Sequence, residues 1–377
     1  MTLKLRRRKL AQAMATGLLS AVFFTAAPLP ARAENAAPDA CAPDEELAYV
    51  CGAQRPEDIV ALPDTRWLIA SGFAKGAGLK LIDSAARRME FWYKGGPDQI
   101  APDTRAYPHC PGPPDPALLN DRGLNLRAVG RNRWRLLVVN HGGRESIEVF
   151  EISTAADRPG LQWRGCIPMP TGQVGNSVTS FADGQILTTV LTRPGTSIAD
   201  FVLGRDTGAV WSWRPGEPAF HEMPGTALPG NNGIESDPDE RHFYTIAFGQ
   251  HAVAVFDRND PRGPVRRIVA PDFMPDNIHW TAGRLLLAGM RYDEPACGGL
   301  RKVVDGVADP MLCPRGWIVG EVDLAQGRIA TIAYGTPRRD FNGLSAAAIM
   351  GRELWLGSFQ AERIAIAPLP APGKVAP

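Results

Sequence analysis

The stretch "RNRWRLLVVNHGGRESIEVFEI" (Arg131–Ile152) decides the fold. A polar turn signal leads into an apolar run that closes on Asn140–His141, and after a Gly-Gly break a second run, "IEVFEI", begins. Apolar, β-branched and aromatic residues bounded by polar and Gly positions read as strand, turn and strand. The first half of this pattern recurs at "DTRWLIASGF" (Asp64–Phe73), "ADGQILTTVL" (Ala182–Leu191), "DERHFYTIAFG" (Asp239–Gly249), "AGRLLLAGM" (Ala282–Met290) and "GRELWLGSFQ" (Gly351–Gln360). Second strands follow there too, as "HAVAVFDR" after Gly249 and "ERIAIAPL" after Phe359. The six units lie roughly 40–70 residues apart, which suits blades of four strands with variable loops. One such unit cannot bury both faces of its sheet; six around an axis can. The expectation is all-β, a six-bladed β-propeller over residues 45–370. A single β-sandwich of this length would need large insertions.

Composition agrees. The chain carries 39 glycines and 34 prolines scattered through 377 residues, which favours short elements over long helices. With 41 basic against 40 acidic groups, no electrostatic footprint for nucleic acid is present. The N-terminus reads as a signal peptide over residues 1–33. It has a basic "KLRRRK", an apolar "LAQAMATGLLSAVFFTAA" and a small-x-small "ARA" ending at Ala33. General secretory and twin-arginine export both remain open. The apolar run is short for a membrane span and no later stretch qualifies. Residues 34–44 read as an N-terminal extension and 371–377 as a tail. The six cysteines (Cys41, Cys51, Cys110, Cys166, Cys297, Cys313) suit disulfides in a periplasmic or secreted protein. Cys297–Cys313 is the one pairing expected; the rest stay open.

In a propeller, polar residues near the inner strands converge on a central channel even when distant in sequence. Acids and amides stand at one shared offset before the recurring strands: Glu57–Asp58 in "RPEDIVALP", Asn176 in "GQVGNSVTS", Asn231–Asn232 in "LPGNNGIESDPDE" and Asp276–Asn277 in "MPDNIHW". Oxygen-only donors of this kind suit a hard cation such as calcium. The competing reading is turn chemistry, which Asn, Asp and Gly dominate. His141, at a strand end before two glycines, is the candidate general base. His279 follows Asp276–Asn277 and is expected in the channel or the core. No G-x-S-x-G elbow, Walker loop or CxxC occurs, and Ser177 has no evident activating base.

Five segments resemble the paraoxonase/arylesterase branch of the gluconolactonase/senescence-marker-protein superfamily of six-bladed propellers. They are "PEDIVALPDTRWLIASGF", "LLVVNHGGRESIEVFEI", "NNGIESDPDERHFYTIA", "MPDNIHW" and "LWLGSFQAERIAI", in the family's order. The resemblance implies a central channel with one catalytic calcium on Glu57, Asn176, Asn232, Asp276 and Asn277, a catalytic His141, and hydrolysis of lactones or aryl esters. Ser177 stands where paraoxonases carry an acid that helps the residue matching Asp58 hold a second ion, so a second, structural calcium is not expected. The second histidine of the paraoxonase pair falls near Trp163. The terminal cysteine that staples their ring is missing, which leaves closure to pairing between the N- and C-terminal segments.

The functional expectation is therefore a secreted calcium-dependent hydrolase, with catalytic roles for His141, Glu57 and Asp276 and a small-molecule lactone or ester as partner. An isomerase or a condensing enzyme related to strictosidine synthase, and a non-catalytic binding propeller, are the alternatives on the same scaffold. The loops Lys94–Asp121, Leu191–Arg205 and Arg291–Arg315 are expected to form the pocket rim.

Overall fold

The computed structural model describes residues 41–44 and 46–371. The signal segment, most of the 34–44 extension and residues 372–377 lie outside them. Strand β1 (Ala48–Cys51) comes first, and the blades then follow in chain order. Blade 1 is β2 (Ile59–Ala61), β3 (Trp67–Ala70), β4 (Lys80–Asp83) and β5 (Arg88–Phe91). Blade 2 is β6 (Asp121–Gly130), β7 (Arg133–Asn140), β8 (Ser146–Ser153) and β9 (Gly160–Pro168). Blade 3 is β10 (Gly175–Ser180), β11 (Ile186–Val190), β12 (Ala209–Trp213) and β13 (His221–Glu222). Blade 4 is β14 (Asn231–Ser236), β15 (His242–Ala247), β16 (Ala252–Asp257) and β17 (Arg266–Val269). Blade 5 is β18 (Phe273–Thr281), β19 (Arg284–Arg291), β22 (Trp317–Asp323) and β23 (Arg328–Gly335), interrupted by the small hairpin β20 (Val303–Val304) and β21 (Val307–Ala308). Blade 6 is β24 (Leu344–Met350), β25 (Glu353–Ser358) and β26 (Arg363–Pro368), with β1 as its outermost strand. The molecule is a six-bladed β-propeller.

Each of the six recurring segments supplies the second strand of a different blade: β3, β7, β11, β15, β19 and β25. These strands are apolar without alternation because neighbouring blades cover both faces of each sheet. Leu136 to Val139 of β7 are all fully buried. Leu136 and Val138 pack toward Ile69 and Leu81 of blade 1, while Leu137 and Val139 pack toward Val178 and Ile186 of blade 3. Period-2 side chains thus join two different inter-blade cores. Burying one such side chain is worth about 1.5–3 kcal/mol, so the core is a series of wedges between blades.

Closure comes from chain-terminal pairing. β1 runs antiparallel to β26, with Ala48 opposite Ile366 and Cys51 opposite Arg363. The expected Cys297–Cys313 bridge is present. Cys41–Cys51 ties the chain ahead of β1 to that closing strand, and Cys110–Cys166 ties the loop before β6 to β9. Helix is nearly absent among the described residues: α1 (Ile198–Val202) is one short turn with a Ser197/Asp200 capping box.

Candidate metal centre

The inner strands of blades 2 to 5 share one irregularity. In β6 the register jumps from Asp121↔Asn140 to Leu124↔Val138, and β10, β14 and β18 jump at the equivalent place. Two residues on the inner strand therefore oppose one on its neighbour, a β-bulge. The first extra residue is Arg122, Asn176, Asn232 or Asp276 in turn. The second is Gly123, Ser177, Gly233 or Asn277. Blade 1 delivers Glu57–Asp58 just ahead of β2, where Ser71 Oγ accepts from the Asp58 N–H at 2.8 Å. A bulge re-aims side chains out of the pleat, and here it turns one position per blade toward the axis.

Asn176, Asn232, Asp276 and Asn277 stand ahead of the recurring strands β11, β15 and β19, as expected, but they lie inside inner strands of their own, β10, β14 and β18, so the competing reading as turn residues does not hold. Gly, Asn and Asp mark bulges as readily as turns, because both need backbone conformations outside the regular ladder.

The structure brings most of the predicted ligand set together. Asn277 Nδ2 donates to Glu57 Oε1 at 3.0 Å and to the Glu57 carbonyl at 3.3 Å. Burial pushes the Glu57 carboxyl well above its usual range, and the charges of Asp58 and Asp276 push it further. Burial likewise raises Asp276 to about 7, although hydrogen bonding from Asn232 pulls it back and Asp58 adds to the rise. Asn176 occupies the matching bulge of β10, between the bulges of β6 and β14. No direct bond links it to the other four among the described residues. His141 sits apart at the end of β7: its Nδ1 pairs with Glu145 Oε2 at 2.6 Å, and its backbone N–H donates to the Asn120 carbonyl.

Four residues of the set drawn from the sequence each keep a buried oxygen with no hydrogen-bond partner among the described residues: Glu57 Oε2, Asn176 Oδ1, Asn232 Oδ1 and Asn277 Oδ1. Others lie outside that set, on Gln54, Asp121, Gln173, Thr245 and Gln250. A buried acceptor left unsatisfied costs about 1–3 kcal/mol, and such orphans need an explanation in a folded protein. Hard oxygen donors converging at the end of a channel fit a calcium ion. Asp58 differs. Its oxygens accept from His279 Nε2 at 2.7 Å and from the backbone N–H groups of Ile59 and Leu124 at 2.8 and 2.7 Å. Deeper in the channel His279 Nδ1 lies 3.4 Å from Glu235 Oε2. Burial opposes charging His279, but the Asp58 charge and hydrogen bond and the Glu235 contact outweigh it and lift the imidazole to about 10. The carboxylate of Asp58 is thus neutralised by a side chain of the protein itself.

Sequence reasoning missed Arg122. It holds the bulge position that elsewhere carries an acid or amide, but a search confined to oxygen donors passes over "NDRGLN". Its guanidinium lies 3.2 Å from the centroid of the Phe73 ring and donates to Asn120 Oδ1 at 2.6 Å. Burial lowers its pKa to about 10 against the supporting charges of Glu57, Asp121 and Glu145. Asp121 beside it is fully buried with both carboxylate oxygens unpartnered among the described residues. Burial raises it to about 7, with Lys80 opposing the rise.

No known family profile matches this sequence, and no curated protein matches it. Several solved structures are similar to it at low identity. A luciferin-regenerating enzyme is similar at 11% identity and TM-score 0.48, over 87% of this chain and 97% of that one. The calcium-binding protein regucalcin from Agrobacterium tumefaciens is similar at 12% identity and TM-score 0.48, over 88% and 97%. A PQQ-bound aldose sugar dehydrogenase from Streptomyces coelicolor is similar at 13% identity and TM-score 0.45, over 87% and 100%. The six-bladed assignment rests on the sheet order of this chain, not on these likenesses.

Proposed function

We propose that the protein is an exported, calcium-dependent hydrolase of lactones or aryl esters, in the manner of the paraoxonase/arylesterase enzymes its motifs resemble. The observation that carries this reading is that four of the five residues of the predicted ligand set each keep a buried oxygen without a partner among the described residues. Glu57, Asn176, Asn232, Asp276 and Asn277 would hold the ion, and the committed oxygens of Asp58 favour one ion rather than two. When bound, calcium supplies Lewis-acid polarisation of the ester carbonyl.

The remaining work falls to the chain. Pairing of His141 Nδ1 with Glu145 fixes the ring and leaves Nε2 as the nitrogen that takes a proton from the attacking water. The water oxygen bonds to the acyl carbon, the acyl–oxygen bond breaks, and the proton passes to the leaving alkoxide or phenoxide. Asn120 ties this base to the mouth, since its carbonyl accepts from the His141 backbone and its side chain from Arg122. Arg122 places a positive charge beside Glu57, where it stabilises the negative charge that gathers on the acyl oxygen. The three disulfides suit an oxidising, extracytoplasmic compartment. No helix among the described residues is long and apolar enough to cross a membrane.

The test is calcium content of the purified protein, followed by a panel of lactones and aryl esters with and without a chelator. Turnover that chelation abolishes and calcium restores is expected. Full activity after chelation would sink the metal role. Calcium binding with no turnover on any substrate would move the protein to the non-catalytic binding class.

A further inference from the structure

A cavity of about 840 Å³ opens at the same end of the ring as the candidate metal centre. Its walls include Arg55, Phe73, Leu312, Arg339, Asn342 and Phe359. Two of its lining residues link it to that centre. Arg55 stands two residues before Glu57, and Phe73 lies between the Arg122 guanidinium and the Phe359 ring, whose centroid is 6.3 Å away at 65°. No acidic side chain lines the cavity among the described residues. Arg339 makes no ion pair there: its neighbour Arg338 takes Asp44 and Glu46, and Asp340 serves Arg338 and Arg363. Arg55 has one exposed partner, Glu362, at 3.5 Å.

The backbone singles out the same wall. Gln54 and Arg55 are consecutive non-glycine residues in the left-handed region, at φ 54° and 58°. That conformation is strained and persists only where surroundings over-determine it. Here the Arg55 N–H donates to Ala361 and its carbonyl accepts from Phe73, which locks the turn between blades 6 and 1. On the opposite wall Cys313, bridged to Cys297, fixes the segment that presents Leu312, whose side chain is 76% exposed.

We propose that this cavity is the anion-binding subsite of the centre, and that the substrate is an ester or lactone bearing a carboxylate on a flat or apolar body. Phe73, Leu312 and Phe359 hold the body. Arg339 and Arg55 take the carboxylate by charge-assisted hydrogen bonds. Orientation follows from placement: the carboxylate pairs with the arginines that line the cavity, which leaves the acyl carbon facing the ring of oxygens. What the bound molecule then undergoes rests on the hydrolase reading; the binding itself does not.

Two measurements on the full chain separate these claims. Calorimetry compares 2-naphthoate with uncharged 2-naphthamide, on the native protein and on Arg55→Gln, Arg339→Gln and the double variant. Naphthoate is expected to bind about tenfold tighter than the amide, and the double variant to erase that preference while leaving the amide unchanged. Both arginines are exposed, so the variants keep the fold. Equal binding of the two probes, no binding of either, or a preference surviving in the double variant overturns the subsite. Separately, kcat/KM for a carboxylated aryl ester against its neutral parent should fall in the double variant through KM. Arginine-dependent naphthoate binding without ester or lactone turnover keeps the subsite and removes the hydrolase. Turnover without anion preference does the reverse.

Discussion

Glu57 Oε2 is buried without a donor, as are the amide oxygens of Asn176, Asn232 and Asn277. Removing one negative charge from that set is the most direct perturbation. Glu57→Gln keeps the shape and is expected to weaken calcium by more than the roughly 10–100-fold typical of outer-shell losses; isothermal titration reads it. His141 belongs to a different step. His141→Gln should lower kcat by about 10²-fold or more, within the range for a lost general base, with calcium affinity unchanged. Were His141→Gln to lose calcium as well, the base assignment would fail, since its ring pairs with Glu145 and with none of the five proposed ligands. At this scale the sequence was legible where chemistry selects a residue type. Acids and amides at one offset stood out; Arg122 did not, because its type broke the pattern while its position kept it.

The inner strands owe their site to the bulge, and the bulge owes its compactness to glycine. A Cβ on Gly233 would meet the Asp276 carbonyl at 2.6 Å and Asn277 Cα at 2.8 Å, both backbone atoms of the next blade. Gly123 faces the same constraint, with Ser177 Cα at 2.6 Å. Gly233→Ala therefore pushes β14 and β18 apart at the residues that aim the ligands. It is expected to cost about 1–3 kcal/mol, as overpacking does, and to weaken calcium although no ligand is changed. Urea melts and calcium titration of the same variant check both; a stable protein with native calcium affinity would show that the bulges do not set the ligands. From sequence these segments could compete as turns, because the residues that permit a bulge also permit a turn. Only cross-strand register separates the two.

At the scale of the ring, charge collects on its axis. Asp276 and Asp121, both raised by burial to about 7 from an ordinary 3.8, bind more protons folded than unfolded between those values. The unfolded chain has the fewer protons in that window, so the stability of metal-free protein falls as pH rises from about 4 to 7. Calcium needs the carboxylates ionised and favours the folded state, with a gain of about 2.7 kcal/mol at a hundred times Kd. Melting temperature after chelation should thus be lower at pH 7.5 than at pH 5, and added calcium should raise it most at pH 7.5. A calcium effect that is larger at pH 5 would contradict the buried carboxylates as ligands.

The sequence by itself determined the six blades, the second strand of each and the Cys297–Cys313 bridge. Local apolar runs and turn residues encode strands, and a run buried on both faces has few other homes. Tertiary structure alone decided what each polar residue faces. The bulges that turn Asn176, Asn232 and Asp276 inward, the imidazole of His279 on Asp58, the place of Arg122 and the arginine-lined cavity between blades 6 and 1 all depend on register and on neighbours distant in the chain. Those neighbours meet only when the ring closes, so no local window of sequence carries them.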